Sequence, residues 1–133
     1  MSNLSNEQKE IILDCFGKLV IQNVRDRVLK LSMGIAKQST INPVKLKQYS
    51  CLSGLTDQQQ EAVCDLLSET ITNVIYLFLE MFEENDDYLS LIIKDGEKSY
   101  NMIDISEKMG SEIACYEENG WIQKFSTIGR FVL

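Results

Sequence analysis

Residues 63–84 read VCDLLSETITNVIYLFLEMFEE, and this stretch decides the fold. Apolar side chains recur along it at helical spacing. They are Val63, Leu66, Leu67, Ile71, Val74, Ile75, Phe78 and Phe82. Between Val74 and Phe82 only Glu80 is charged, and a helix that is apolar on nearly every side is typical of a protein interior. The stretch therefore predicts a central helix over residues 57–84, with Ile75 and Phe78 fully buried.

Capping boxes mark the starts of two long helices. Thr56 and Gln59 have the spacing of such a box at the start of the central helix, and Ser5 and Gln8 repeat it near the N-terminus. Apolar side chains continue at helical spacing after Ser5 and predict a helix over residues 6–37. The pattern leaves open whether this is one helix or two that meet near residues 22 and 23.

The C-terminal part predicts a small antiparallel sheet. Residues 88–93 are rich in aromatic and β-branched side chains, which favour strands. Asp95-Gly96 is a hairpin signal, because glycine accepts the positive φ that a tight turn needs. Two strands are therefore expected within residues 88–105. The other segments are predicted as a short helix or turn over residues 44–55, a helix over 106–118 and a third strand over 121–125.

Length and composition fit a single domain of residues 1–133. The chain is 44% hydrophobic and 25% charged, which is typical of a globular protein. The predicted fold is α+β, with long N-terminal helices packed together and a small antiparallel sheet in the C-terminal part. The N-terminus lacks a basic segment followed by an apolar core, and the apolar run of residues 74–79 is far shorter than the roughly 18 residues of a membrane span. We expect a cytoplasmic protein that does not enter a membrane.

Several kinds of catalysis are disfavoured. The chain has no histidine, which is the usual general base at neutral pH. Its four cysteines, at positions 15, 51, 64 and 115, form no Cys-x-x-Cys pair. We predict that they are buried, reduced and unligated, with no metal and no cofactor. A metal-dependent enzyme that uses clustered Asp and Glu remains an open alternative.

The charge of the chain is sorted along its length. Residues 1–50 hold eight basic and four acidic side chains, a charge of +4, whereas residues 51–133 hold five basic and 16 acidic ones, a charge of −11. Such asymmetry indicates a partner surface rather than a reaction. Because the net charge is −7, a bare nucleic acid would be repelled at long range. We therefore expect a basic protein partner and no direct binding of nucleic acid.

The predicted binding residues centre on the end of the central helix. Carboxylates there oppose the helix dipole, so stability does not explain them and they are candidates for contact with a partner, with a solvated helix end and a metal site as the alternatives. Aromatic side chains in the same acidic part would add anchors. The predicted partner-binding set is Glu83, Glu84, Asp86, Asp87, Tyr88, Tyr116, Glu117, Glu118 and Trp121. For Trp121, anchoring of the core is the alternative.

Residues 83–125 resemble the small immunity proteins of bacterial toxin–immunity systems. The resemblance rests on small size, surplus acid, the Asp95-Gly96 hairpin and the run EENGWIQKF at residues 117–125. It implies a stoichiometric inhibitor that binds a cognate toxin, often a basic nuclease, and blocks its active site or a neighbouring site. Two other kinds of binding protein remain open. One is a homo-oligomeric adapter or homodimer that buries a face of residues 6–37, and the other is a regulator of host machinery.

Overall fold

The computed structural model describes residues 4–113 and 120–128, and it confirms the α+β fold. In chain order the elements are α1 (Asn6–Leu19), a π-helical segment (Val20–Arg25), α2 (Asp26–Ala36), α3 (Pro43–Gln48), a 3₁₀ turn (Ser50–Gly54), α4 (Asp57–Glu84), β1 (Ile92–Asp95), β2 (Lys98–Asn101), α5 (Met102–Ile105), a second 3₁₀ turn (Gly110–Ile113) and α6 (Trp121–Phe125). The long helices are N-terminal and the sheet lies in the C-terminal part, as predicted.

α1, the π-helical segment and α2 form one unbroken helix. It begins as predicted, because the Ser5 hydroxyl accepts a hydrogen bond from the Gln8 amide at 3.1 Å and the Gln8 side chain accepts one from the Ser5 amide at 2.9 Å. The π-helical segment lies where the sequence allowed a junction between two helices, but the junction residues keep right-handed helical dihedrals. After Ala36 the chain leaves the helix through Gln38, whose φ is 55°.

α4 begins and ends where the sequence predicted. The Thr56 hydroxyl accepts from the Gln59 amide at 3.1 Å, and the Gln59 side chain accepts from the Thr56 amide at 2.9 Å. At the other end, the Asn85 side-chain amide donates to the Met81 carbonyl at 2.9 Å. The preceding segment of residues 43–54 folds into α3 and a 3₁₀ turn, which confirms the predicted short helix or turn.

β1 and β2 form the predicted antiparallel hairpin, with shorter strands than expected. Ile92 pairs with Asn101 at one end and Asp95 with Lys98 at the other, so Gly96 and Glu97 form the loop. Gly96 has a φ of 63°, which glycine adopts without steric cost. The hairpin signal in the sequence is therefore confirmed.

The strand prediction is wrong on both sides of this hairpin. Residues 88–91 lie outside the sheet, and the Leu89 amide instead donates to the Asn85 carbonyl at 2.8 Å. Residues 102–105 form α5, because the Asn101 side chain accepts from the Ile103 amide at 3.3 Å and caps a helical turn. Asparagine followed by apolar residues was the signal that could have shown this.

The third strand predicted at residues 121–125 is also wrong, because they form α6. Trp121 and Ile122 are buried and Phe125 is half-buried, whereas Gln123 and Lys124 are exposed. This is the i, i+1, i+4 spacing of one helix face, and in five residues it is hard to tell from alternation. The helix predicted over 106–118 is wrong where it is described, since residues 107–109 form a turn and the second 3₁₀ turn follows. Residues 114–119 lie outside the described range.

The hydrophobic core lies between the N-terminal helix, α4 and the C-terminal segments. Its buried members are Ile21, Ile75, Leu79, Met102, Met109, Ile113, Trp121 and Ile122. The predicted burial of Ile75 is confirmed, at 9% exposed. The predicted burial of Phe78 is wrong, because 56% of Phe78 is exposed. Leu79, the next residue, is buried. Adjacent residues lie more than a quarter of a turn apart around a helix, so Phe78 points away from the side that Leu79 buries.

Candidate functional site

The acidic end of α4 contains one carboxylate that stabilises the fold. Glu83 is half-buried, and its Oε1 accepts a hydrogen bond from the Gly110 amide at 2.8 Å. Gly110 is buried at the start of the second 3₁₀ turn, and a buried amide needs an acceptor. Glu83 therefore joins α4 to the C-terminal segment, so its position at the helix end has a structural reason.

Tyr76, Glu80 and Glu84 follow one another at four-residue spacing along one side of α4 and influence one another's ionisation. A hydrogen bond with Glu80, and then the repulsion of its charge, raises the pKa of Glu84. Hydrogen bonds from Tyr76 and Glu84 lower the pKa of Glu80. The pKa of Tyr76 is raised because its hydroxyl donates to Glu80. The two carboxylates are about one helical turn apart, so the charge of one influences the ionisation of the other.

Other members of the predicted set are accessible at the same helix end. Glu84, Asp86 and Asp87 are exposed, and Tyr88 is 73% exposed. These four side chains follow one another where the chain leaves α4, so a partner could contact them together. Tyr116, Glu117 and Glu118 lie outside the described residues.

Trp121 does not belong to a partner surface in this structure, and its inclusion in the predicted set is corrected. It is 1% exposed, and its ring meets the Phe16 ring edge-on with 5.6 Å between centroids. The structure instead shows Trp121 as an anchor of the core, which was the alternative. The large area of a tryptophan side chain favours this burial.

Sequence reasoning missed an exposed apolar surface, which we call the α4 stripe. It comprises Leu66 (65% exposed), Val74 (63%), Leu77 (62%), Phe78 (56%) and Met81 (37%). At 3.6 residues per turn, these positions fall within about one third of the helix circumference. The stripe ends beside the exposed Glu84. Clustered apolar side chains with a polar rim are characteristic of binding surfaces.

The inner side of α4 explains why the stripe faces outward. Ser68 is buried, and its hydroxyl accepts from the Arg25 guanidinium at 3.3 Å. Thr72, one turn later, accepts from the same guanidinium at 3.3 Å. The signal available in the sequence was a pair of hydroxyl side chains at i and i+4. They mark the inner face of α4 because a buried charge must be hydrogen-bonded, and they do so without being hydrophobic.

Arg25 itself belongs to a buried ion pair, which holds the C-terminal segment in place. Arg25 and Asp26 are each 1% exposed, and Nη1 lies 2.8 Å from Oδ1. The Asp26 carboxylate also accepts from the Ser126 hydroxyl at 2.9 Å and from the Thr127 amide at 2.7 Å. These contacts satisfy the charges and leave them closed to solvent. The pair therefore serves the fold and offers no reactive site.

The described cysteines differ in their surroundings, which corrects the prediction that all four are buried. Cys64 is buried, whereas Cys15 and Cys51 are exposed. Burial raises the pKa of the Cys64 thiol. Cys115 lies outside the described range. Within residues 4–113 and 120–128, no group of three or more Cys, Asp or Glu side chains is arranged to hold a metal ion.

α4 is also the one helix in the described part of the chain that meets a length and composition criterion for a membrane span. The helix has 28 residues, and an 18-residue window within it has a mean hydropathy of 1.4. Of that window, 22% is buried. A single helix of this kind is weak evidence, because core helices of soluble proteins meet the same criterion. The finding does emphasise how much of this apolar helix is uncovered.

Comparisons with protein-family models, with curated protein sequences and with solved structures find no match to this chain. The function therefore has to be inferred from the residues themselves.

Proposed function

We propose that this chain is a non-catalytic protein-binding domain that docks a basic protein on the α4 stripe. The observation that carries the proposal is the row of five apolar side chains, each 37–65% exposed, on one side of a helix. Apolar and aromatic side chains that become fully desolvated supply most of the affinity of a typical interface. Leu77 and Phe78, which are adjacent in the more densely apolar C-terminal half of the stripe, are the expected anchors.

Charge indicates the chemistry of the partner. α4 carries seven acidic side chains (Asp57, Glu61, Asp65, Glu69, Glu80, Glu83, Glu84) and no basic one. Of these, Glu69 and Glu84 are exposed at positions that flank the stripe, and the exposed Asp86 and Asp87 follow the helix. Such a surplus of exposed acid accelerates the encounter with a basic protein and disfavours acidic competitors. It would also repel the anionic surface of a cytoplasmic membrane, which favours a protein as the occupant.

The resemblance to immunity proteins gives this proposal a more specific form. In that form the basic partner is a cognate toxin, and binding neutralises it. The exposed Glu84, Asp86, Asp87 and Tyr88 would then contact the toxin next to the apolar stripe.

The test compares three immobilised proteins for retention from a soluble extract of the cells that make this chain. They are the wild type, the double variant Leu77→Ser/Phe78→Ser, and a control Val28→Ser/Leu31→Ser with similarly exposed positions on α2. We expect a basic protein that the wild type and the control retain and the α4 variant loses. With that protein purified, the triple variant Glu84→Gln/Asp86→Asn/Asp87→Asn should slow association at low salt.

Two results would overturn the proposal. One is that the α4 variant retains the same proteins as the wild type. The other is that the wild type binds vesicles of anionic or zwitterionic lipid in a flotation assay and the α4 variant does not. That result would make a lipid surface the occupant of the stripe. An unrelated basic protein of similar net charge serves as the control for non-specific attraction.

A further inference from the structure

We propose that the basic partner presents to the α4 stripe an amphipathic helix whose lysine or arginine side chains lie along one edge only. This inference rests on the proposed function and deepens it, because it specifies which structural element of the partner the stripe receives. Two features of α4 carry it. One is the arrangement of the exposed side chains in rows, and the other is the position of the carboxylates relative to those rows.

The exposed side of α4 consists of two neighbouring ridges, each formed by residues four positions apart. All eight side chains of the two ridges are exposed. The first ridge consists of Leu66, Thr70, Val74 and Phe78, and the second of Glu69, Asn73, Leu77 and Met81. Such ridges, with a groove between them, are the surface on which a second helix packs, because one of its own ridges enters the groove. At 1.5 Å of rise per residue the pair extends over about 22 Å, which a partner helix of about four turns would cover.

Charge lies on only one side of this pair of ridges. The next ridge on that side contains the half-buried Glu80 and the exposed Glu84, so that with Glu69 three carboxylates line one edge. The ridge on the opposite side is uncharged and consists of Val63, Leu67, Ile71 and Ile75. A basic row on one edge of a partner helix would face the carboxylates, whereas a lysine on its other edge would lose water against apolar side chains.

The edge of the first ridge also supplies an anchor that is already oriented. The Phe78 ring meets the Phe82 ring edge-on, with 5.5 Å between centroids and 76° between planes. Phe82 is half-buried and packs against the hydrophobic core, so it supports Phe78 from within. A side chain that is ordered before binding loses less conformational entropy when a partner covers it.

A second copy of this chain fits the same surface poorly. In an antiparallel pair of α4 helices, the two-fold axis places both acidic edges on the same side, where they repel each other. In a parallel pair, the acidic edge of each copy lies against the uncharged edge of the other, where the carboxylates lose water and gain no partner. A basic amphipathic helix avoids both penalties, and this singles it out as the occupant.

The test measures the binding of designed peptides to the whole chain by fluorescence anisotropy at low salt. A one-edge peptide carries a row of leucines at helical spacing and four lysines along one edge of that row. A two-edge peptide has the same composition, with two lysines on each edge. A third peptide replaces two central residues of the one-edge peptide by proline, which breaks the helix. We expect the one-edge peptide to bind about three- to tenfold more tightly than the two-edge peptide, and the proline peptide to bind at least about tenfold more weakly.

Three variants of the chain locate the contact, and circular dichroism establishes that each is folded. Leu77→Ser/Phe78→Ser should weaken the binding of the one-edge peptide by about tenfold or more. Glu69→Gln/Glu84→Gln should remove most of the preference for the one-edge peptide. Asp57→Asn/Glu61→Gln is the matched control, because it removes the same charge from exposed positions of α4 that lie away from the two ridges, and it should keep the preference.

Four results would overturn the inference. They are that the one-edge peptide does not bind, that the two-edge peptide binds as tightly, that the proline peptide binds as tightly, and that Glu69→Gln/Glu84→Gln keeps the full preference. The proposed function is judged separately, by the cellular protein that the wild type retains and the α4 variant loses. Retention of such a protein together with any of the four results would keep α4 as the docking surface and exclude a one-edged helix as its occupant.

Discussion

The indole of Trp121 lies directly against Gly17 in α1. A Cβ atom at position 17 would come within 2.5 Å of Nε1 of that ring, closer than non-bonded atoms approach. The glycine thus makes room for the largest side chain of the core, and the contact joins two residues more than one hundred positions apart. The edge-on packing of Phe16 fixes the ring from a second side.

Gly17→Ala is expected to destabilise the protein, although alanine is the better helix former. The helical preference would contribute up to about 1 kcal/mol in favour of alanine, but overpacking against Trp121 costs about 1–3 kcal/mol. Gly34→Ala is the matched control, because a Cβ there meets Thr40 at an ordinary 3.8 Å. That variant should be stabilised by about 0.5–1 kcal/mol. Urea unfolding of both variants measures the contrast, and an unchanged midpoint for Gly17→Ala would contradict the close packing.

Phe78→Ala should leave the stability nearly unchanged. Phe78 is 56% exposed, so its removal should lower the free energy of unfolding by about 1 kcal/mol or less. Leu79→Ala, at the adjacent position, removes a side chain that is 2% exposed and should cost about 2–5 kcal/mol. Similar losses for the two variants in chemical denaturation would mean that Phe78 is covered in solution.

Glu83→Ala should destabilise the fold, whereas Glu84→Ala should not. Glu83 holds the buried Gly110 amide, and leaving such a donor without its acceptor costs about 1–3 kcal/mol. Glu84 is exposed and is repelled by the charge of Glu80, so its removal relieves repulsion. Thermal unfolding at neutral pH distinguishes the two. Equal melting temperatures for Glu83→Ala and the wild type would show that another group satisfies Gly110.

The buried ion pair should be far more sensitive to substitution than an exposed one. Asp26→Ala leaves the Arg25 charge uncompensated in the interior and should cost about 3–5 kcal/mol. Asp14→Ala removes a partly exposed pair with Lys124 at 3.0 Å and should cost about 1 kcal/mol or less. Guanidinium chloride would screen the pairs, so urea is the denaturant to use.

The Glu80–Glu84 pair should give stability an acidic pH dependence. Folding raises the pKa of Glu84, so its contribution is complete below the ordinary range of a carboxyl group and is lost as the pH rises through the raised pKa. Folding lowers the pKa of Glu80, so that contribution is present above the ordinary range and is lost as the pH falls through the lowered pKa. Glu84→Gln should gain stability relative to the wild type as the pH rises from acidic to neutral. Parallel pH profiles of the two proteins would show that the carboxylates do not interact.

Residue pattern alone predicted much of the outline. The capping boxes at Ser5 and Thr56 located the starts of the two long helices, and glycine at position 96 located the hairpin. Glu84, Asp86 and Asp87 were also predicted as partner-binding residues from their position at a helix end; they are exposed, and that role stays a prediction. Each of these signals acts between residues a few positions apart, so the local sequence contains all the information that it needs.

Tertiary contacts decided the rest. Which side of α4 is buried depends on Arg25, which reaches Ser68 across 43 positions and turns the hydroxyl side of the helix inward. The burial of Trp121 depends on the absence of a side chain at Gly17, and the role of Glu83 depends on Gly110. In each case a charge, a ring or an amide is satisfied by a group distant in the chain. The apolar residues of α4 that remain exposed form the α4 stripe. Because α4 is apolar on both sides, its sequence pattern could not show which side would be exposed.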